Sequence, residues 1–225
     1  IYVENYTKVE PASSTAYPIA KAGLPFIGIA AFATAVFALL GITFLALTGL
    51  AATFFICFFF RDPDRVIPDR DGAVVSPADG KVIKVESLEN GRFCSERCLK
   101  ISIFMSIFNV HVNRIPFSGE ISRVAYFPGK FLSANLDKAS SDNEHNAVFL
   151  KTDQGREVCF VQIAGLVARR IICHVQKGQM VSRGQRFGLI CFGSRLDVYL
   201  PTDTDITVKV GDRVKAGTSV LGELS

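Results

Sequence analysis

From Leu24 to Phe60 the chain reads LPFIGIAAFATAVFALLGITFLALTGLAATFFICFFF without one charged residue, and nothing else in it restricts the fold as strongly. An α-helix rises 1.5 Å per residue, so a single straight helix of this length would measure about 55 Å, against about 30 Å for the hydrocarbon core of a bilayer. That is too long for one upright span and slightly short for two full ones. The expectation is a tight transmembrane helical hairpin over residues 24–60, turning between about Gly41 and Gly49; one long tilted helix is the alternative. A cleaved signal peptide is not expected, because the apolar core is too long and no small-residue cleavage site follows it. Lys8 and Lys21 precede the stretch, and Arg61, Arg65 and Arg70 follow it. A hairpin keeps both basic flanks on the cytoplasmic side, as the positive-inside bias prefers. Residues 1–23 are then a cytoplasmic N-terminal segment, 24–60 the membrane hairpin, and 61–225 a separate domain at the cytoplasmic face of the cell membrane.

Beyond Arg61 the character changes. RDPDRVIPDRDG is rich in proline and charge and reads as a linker leaving the bilayer. After it come short β-branched runs separated by Gly, Pro and Asn: 73–76, 81–85, 99–107, 120–126, 147–151, 157–164, 167–174, 187–192, 197–200 and 205–210. No long amphipathic helix interrupts them. Their length and spacing predict a mainly β domain, an antiparallel sandwich or barrel. One repeat stands out: Gly178-Gln-Met-Val181-Ser-Arg-Gly184 against Gly211-Asp-Arg-Val214-Lys-Ala-Gly217. Glycines at both ends supply the positive φ that tight turns demand. The pattern resembles the hairpins of lipoyl and biotinyl carrier domains, but no lysine stands in the carrier context, so the repeat reads as fold and not as carrier function.

The net charge of +4 suits an anionic membrane surface, and the absence of a dense Lys/Arg run or a recognition motif argues against nucleic acid. Of the six cysteines, Cys159, Cys173 and Cys191 lie in apolar strand-like runs and Cys57 in the apolar stretch, where buried free thiols are expected. Cys94 and Cys98 have a metal-compatible spacing, yet no second Cys/His pair answers them, so no metal is expected and a reducing compartment fits best.

Three segments combine reactive groups with backbone-restricting residues: Ser76-Pro-Ala-Asp79-Gly80, Phe108-Asn-Val-His111-Val-Asn113-Arg114-Ile-Pro116 and Phe192-Gly193-Ser194-Arg195. Each has an ordinary structural reading: a hairpin turn at Asp79-Gly80, a structural strand histidine at His111 between Val110 and Val112, a plain turn at Gly193-Ser194, which lacks the G-x-S-x-G spacing of a hydrolase elbow. Arg114 reads as a solvated charge at a strand end. Taken together with FFRDPDR, SPADGKV, FMSIFNVHVNRIP, YFPGKF, NEHNAV, GLVARRI and RFGLICFGSRLDVYLP, in that order from about Phe59 to Leu224, they resemble the short, prokaryotic-type phosphatidylserine decarboxylases.

That resemblance implies a proenzyme that cleaves its own Gly193–Ser194 bond into a β chain, 1–193, and an α chain, 194–225, which stay associated. Ser194 becomes a pyruvoyl cofactor that forms a Schiff base with the amine of a phospholipid substrate, yielding phosphatidylethanolamine and CO2. The resemblance makes His111 the proton donor and carboxylate-positioning group, and Asp79 part of the self-cleavage apparatus. Larger members pair that aspartate with a second histidine three residues beyond the one matching His111; here that position is Arg114, whose functional reading is a clamp on the lipid phosphate or substrate carboxylate. The bond sits in FGSR where many members have LGST. The loop 128–146 is long enough to be a substrate lid. Two other readings stand beside this one: the same chemistry on an archaeal-type serine ether lipid, and a non-catalytic, membrane-tethered β module.

Overall fold

The computed structural model describes residues 18–89, 92–94, 97–134, 142–166, 170–191 and 193–224. The N-terminal segment assigned above to residues 1–23 therefore lies mostly outside the described residues. Internal contacts separate the described chain into two units, 18–64 and 65–224.

The first unit is helical. A 3₁₀ turn at Lys21–Gly23 leads into α1 (Leu24–Leu39), followed by α2 (Thr43–Phe59). Pro25 stands in the first turn of α1, where its missing N–H costs no hydrogen bond. Gly41, at φ 70°, ends α1: its N–H donates to the Ala38 carbonyl at 3.1 Å and the Ile42 N–H to that of Phe37 at 3.0 Å, a glycine-closed helix end. Gly49 has a different task. A Cβ there would fall 3.3 Å from Cβ of Thr34 and overlap its hydroxyl, so the two helices meet through that bare backbone. The outward residues are apolar: Ile29, Phe32, Leu39, Phe44 and Phe54 are all exposed. Lys21–Leu39 is long and apolar enough to cross a membrane; α2 is a shorter apolar helix.

The second unit is mainly β, with every strand pairing antiparallel. Among the described residues the strands are β1 (Ala73–Val75), β2 (Gly80–Leu88), β3 (Cys98–Met105), β4 (Val112–Arg114), β5 (Gly119–Phe127), β6 (His145–Lys151), β7 (Glu157–Ala164), β8 (Ile171–Cys173), β9 (Met180–Val181), β10 (Arg186–Ile190), β11 (Ser194–Pro201), β12 (Asp205–Ile206), β13 (Arg213–Val214) and β14 (Val220–Glu223). A curled sheet runs β13-β2-β3-β11-β7-β6-β5-β9, and two three-stranded sheets run β1-β14-β12 and β4-β10-β8.

Alternation along the long strands makes the core. Ile101, Ile103 and Met105 of β3, Leu196, Val198 and Leu200 of β11, and Val158 and Phe160 of β7 point to one face. There they meet Val74 of β1, Phe187 of β10 and Leu221 of β14. The opposite face carries a smaller cluster around Phe93, Phe149, Cys159, Val161 and Tyr199.

Three of the strands escaped the sequence reading: β9, β13 and β14, each of two to four residues. The glycines of the repeat adopt the conformation expected of them, with φ of 83°, 80°, 104° and 73° at Gly178, Gly184, Gly211 and Gly217. Cys57, Cys159, Cys173 and Cys191 are free thiols. Cys94 and Cys98 are instead joined as a disulfide, a correction to the expectation of reduced cysteines; their Cα atoms lie 6.5 Å apart, within bridging range.

Candidate active site

Ser194 is the first residue of β11, a strand at the centre of the large sheet. It is fully buried, paired with Met105 of β3 on one side and Ala164 of β7 on the other. It is not part of a plain turn. Gly193 before it holds φ at 64°, and among the described residues outside its chain neighbours no atom lies within 4 Å of where a Cβ would be, so glycine is needed here for its backbone and not for space. The Ser194 hydroxyl donates to the Met105 thioether at 3.4 Å.

Around Met105 lies a buried polar row that the sequence reading missed. Asn113 Nδ2 donates to the same sulfur at 3.7 Å, and Asn113 Oδ1 accepts from Gln162 Nε2 at 2.9 Å. Gln162 Oε1 in turn accepts from Asn146 Nδ2 at 3.1 Å. Asn113, Gln162 and Asn146 come from β4, β7 and β6 and are all buried. Desolvated amides are costly unless bonded, and here each has a partner. The signal in the sequence was a lone amide inside an apolar run, as in VCFVQIA.

Asp79 does not form the expected hairpin turn. Strands β1 and β2 do not pair with each other; β1 pairs with β14 and β2 with β3 and β13. The SPADG segment instead docks on the second glycine repeat. Asp79 Oδ1 accepts from the Ala216 N–H at 2.7 Å, the Gly217 N–H donates to the Ser76 carbonyl at 2.7 Å, and the Ser76 N–H to that of Ser219 at 2.7 Å. Arg65 Nη2 reaches both Asp79 oxygens, at 2.8 and 3.1 Å. By register Asp79 stands at the same end of the sheet as Ser194, two strands away, since Lys81 faces Phe104 and Phe104 faces Arg195.

His111 is fully buried and precedes β4 rather than lying within it. Its Nδ1 meets the Asn109 carbonyl at 2.9 Å; donation from Nδ1 leaves Nε2 as the basic nitrogen. The His111 carbonyl accepts from the Ile190 N–H at 3.4 Å, which ties it to β10 just ahead of Gly193. Arg114 is not the solvated charge its position suggested. It is buried, and its Nη1 donates to the Gly184 carbonyl at 3.0 Å, beside Gly217. In this chain, then, the carboxylate of Asp79 is engaged by Arg65 and Ala216, and the hydroxyl of Ser194 by Met105.

The remaining histidines lie elsewhere. His145 is stacked on Phe127 at 4.8 Å in the smaller cluster, and His174 is exposed. Arg195, also buried, makes a bidentate pair with Asp197 at 2.7 and 2.8 Å on the face opposite Ser194, and donates to the Ala134 carbonyl at 3.4 Å. Part of the loop taken as a lid, 135–141, lies outside the described residues. The flanking parts are stapled by Asn143, whose amide bonds both Leu132 backbone groups and the Ala164 carbonyl. Burial pushes the Cys173 and Cys191 thiols up, which keeps both protonated near the site.

These features define a mainly antiparallel β protein with a buried serine at the head of a central strand, behind a left-handed glycine. Comparison with known proteins gives the kinship. The profile of the phosphatidylserine decarboxylase family matches residues 52–222. Relatives named phosphatidylserine decarboxylase proenzyme come from Syntrophus aciditrophicus, 51% identical over 91% of this chain and 96% of theirs, and from Desulfotalea psychrophila, 48% identical over 92% and 97%. Another, from Burkholderia cenocepacia, is 48% identical over 92% and 96%. The chain belongs to the phosphatidylserine decarboxylase family.

Proposed function

We propose that the chain is the uncleaved form of a self-processing, pyruvoyl-dependent decarboxylase that converts phosphatidylserine to phosphatidylethanolamine and CO2. The observation that carries this reading is the Gly193–Ser194 bond: a glycine held at φ 64° in front of a fully buried serine hydroxyl, inside the family match. Ser194 Oγ attacks the Gly193 carbonyl carbon, the C–N bond breaks, and the hydroxyl proton ends on the freed amine. Loss of the Ser194 α-proton then expels the Gly193 carboxylate, and hydrolysis of the dehydroalanine releases ammonia and leaves a pyruvoyl group at residue 194. The site fits that group, because residue 194 is shielded from water and its hydroxyl shares the Met105 thioether with the amide of Asn113. When formed, the pyruvoyl group supplies a carbonyl that condenses with the substrate amine and takes up the electron pair left by CO2.

The other residues keep to narrower tasks. His111 is the proton donor to the substrate α-carbon. Asp79 supports self-cleavage from the same end of the sheet. For Arg114, burial and the bond to Gly184 favour holding the two glycine repeats together over clamping a headgroup. We read those repeats as lipoyl-like hairpins used as framework. The helices α1 and α2 are read as a membrane hairpin with both ends cytoplasmic; their exposed apolar residues support a place in the bilayer.

Intact mass of the purified protein tests the proposal. Fragments 1–193 and 194–225 are expected, the second with its N-terminus blocked by pyruvoyl. Ser194→Ala should give one full-length, inactive chain. A Ser194→Ala chain that splits normally, or an active parent that never splits, overturns the assignment.

A further inference from the structure

Two glycines meet at the end of the sheet where β11 begins and β7 ends, and they are there for opposite reasons. Because Ser194 pairs with Ala164, Gly193 and Gly165 both lie just past that pair. Gly193 has open space around its missing side chain and a left-handed φ. Gly165 is not among the positive-φ glycines; what it lacks is room. A Cβ on Gly165 would overlap the Gly193 carbonyl oxygen and lie 3.0 Å from its carbonyl carbon, with Ala134 Cβ next at 3.4 Å. The bare backbone of Gly165 is therefore packed against the carbonyl that Ser194 has to attack.

We infer that Gly165 is a positioning residue for self-cleavage: its lack of a side chain lets the Gly193 carbonyl sit where Ser194 Oγ can reach it. This rests on the reading of Gly193–Ser194 as the self-cleaving bond. Nucleophilic attack depends on orientation within narrow limits, and a displacement of about 1 Å can cost about 10²-fold in rate. A methyl group at 165 has two ways to relieve its overlap. It can turn the Gly193 carbonyl away, or shift the β7 end, which is anchored by the Ala164 N–H to the Glu144 carbonyl at 2.9 Å and by the Asn143 amide to the Ala164 carbonyl at 2.7 Å. With β7 anchored on both counts, the carbonyl gives way. Gly193 allows this, since among the described residues outside its chain neighbours no atom lies within 4 Å of where its Cβ would be. The fold survives and the acyl shift does not.

The test is Gly165→Ala in the full-length chain. Splitting is followed on denaturing gels over time, hydroxylamine is used to cleave any ester at 193/194, and thermal unfolding is compared with uncleaved Ser194→Ala. The expected result is splitting slowed about 10²-fold or more, no hydroxylamine-sensitive ester, and a Tm within about 5 °C of the Ser194→Ala reference. Adding Ala134→Gly, which makes room on the other side of the methyl, should not restore splitting. Normal splitting of Gly165→Ala overturns the inference. So does an accumulating ester, which would put the block after the acyl shift, and so does rescue by Ala134→Gly. A chain that unfolds well below the reference also counts against it, because the methyl would then have disturbed the sheet and not one carbonyl. A parent chain that never splits refutes the proposed function itself, which distinguishes the two failures.

Discussion

Met105 is the neutral acceptor shared by Ser194 and Asn113, at 3.4 and 3.7 Å. Leucine has nearly its volume but no lone pair, so Met105→Leu should cost under about 1.5 kcal/mol in stability. It should also slow self-cleavage about tenfold, the kinetic equivalent of one neutral hydrogen bond, as a time course of splitting would show. An unchanged rate would mean that the sulfur does not orient the hydroxyl. His145 makes a separate point about residues read from sequence. Burial holds its pKa below the ordinary 6.5, against the opposing pull of the Asn143 carbonyl. The unfolded chain then takes up a proton here before the folded chain does. The stability contributed is complete above about pH 6.5 and is lost as pH falls through that value toward the lower folded one. Between pH 7.5 and 5.5 the parent should lose more Tm than His145→Gln, and equal losses would remove His145 as the cause.

At the scale of elements, the two glycine repeats share a sequence pattern but use their ends differently. The first glycines, Gly178 and Gly211, have positive φ and open surroundings. The last ones, Gly184 and Gly217, have positive φ and are crowded: Ile67 lies against both, and Arg114 Cδ would be 2.9 Å from a Cβ on Gly217. Alanine at the first pair should cost about 1–2 kcal/mol for the left-handed backbone alone. At the last pair the cost of overpacking adds about 1–3 kcal/mol more. Urea unfolding in the Ser194→Ala background would measure both, and equal costs at the two ends would contradict the crowding. The repeat's turns were legible because glycine spacing encodes local backbone conformation. The docking of SPADG onto the second repeat was not, since Asp79 and Ala216 are distant in sequence and meet only through the fold.

For the whole molecule, the position of β11 decides what self-cleavage does to the fold. The strand begins at Ser194 and pairs along its length with β3 and β7. Its inward residues Leu196, Val198 and Leu200 lie in the main core, and on its other face Arg195 and Asp197 form a buried ion pair. Breaking the bond before Ser194 cuts the chain at the head of a central strand without exposing that strand. Fragments 1–193 and 194–225 should therefore co-elute from a sizing column in mild detergent and separate only in denaturant. Separation without denaturant would show that the covalent link holds β11 in place.

Periodicity and composition determined a good deal by themselves. The uncharged stretch from Leu24 to Phe60 marked a helical unit apart from the rest, and alternating β-branched runs located the long strands. The order of loose motifs pointed to the family. These properties are local: helix against strand, buried face against exposed, a glycine where the backbone turns left-handed. Strands of two or three residues such as β9 and β13 stayed hidden because so short a run has no period. Strand order is a property of the whole sheet, chosen by pairing and burial between residues far apart in the chain. Only the tertiary structure could seat β11 between β3 and β7, draw Asn113, Gln162 and Asn146 from three strands into one buried row beside Met105, and bring the bare backbone of Gly165 against the Gly193 carbonyl.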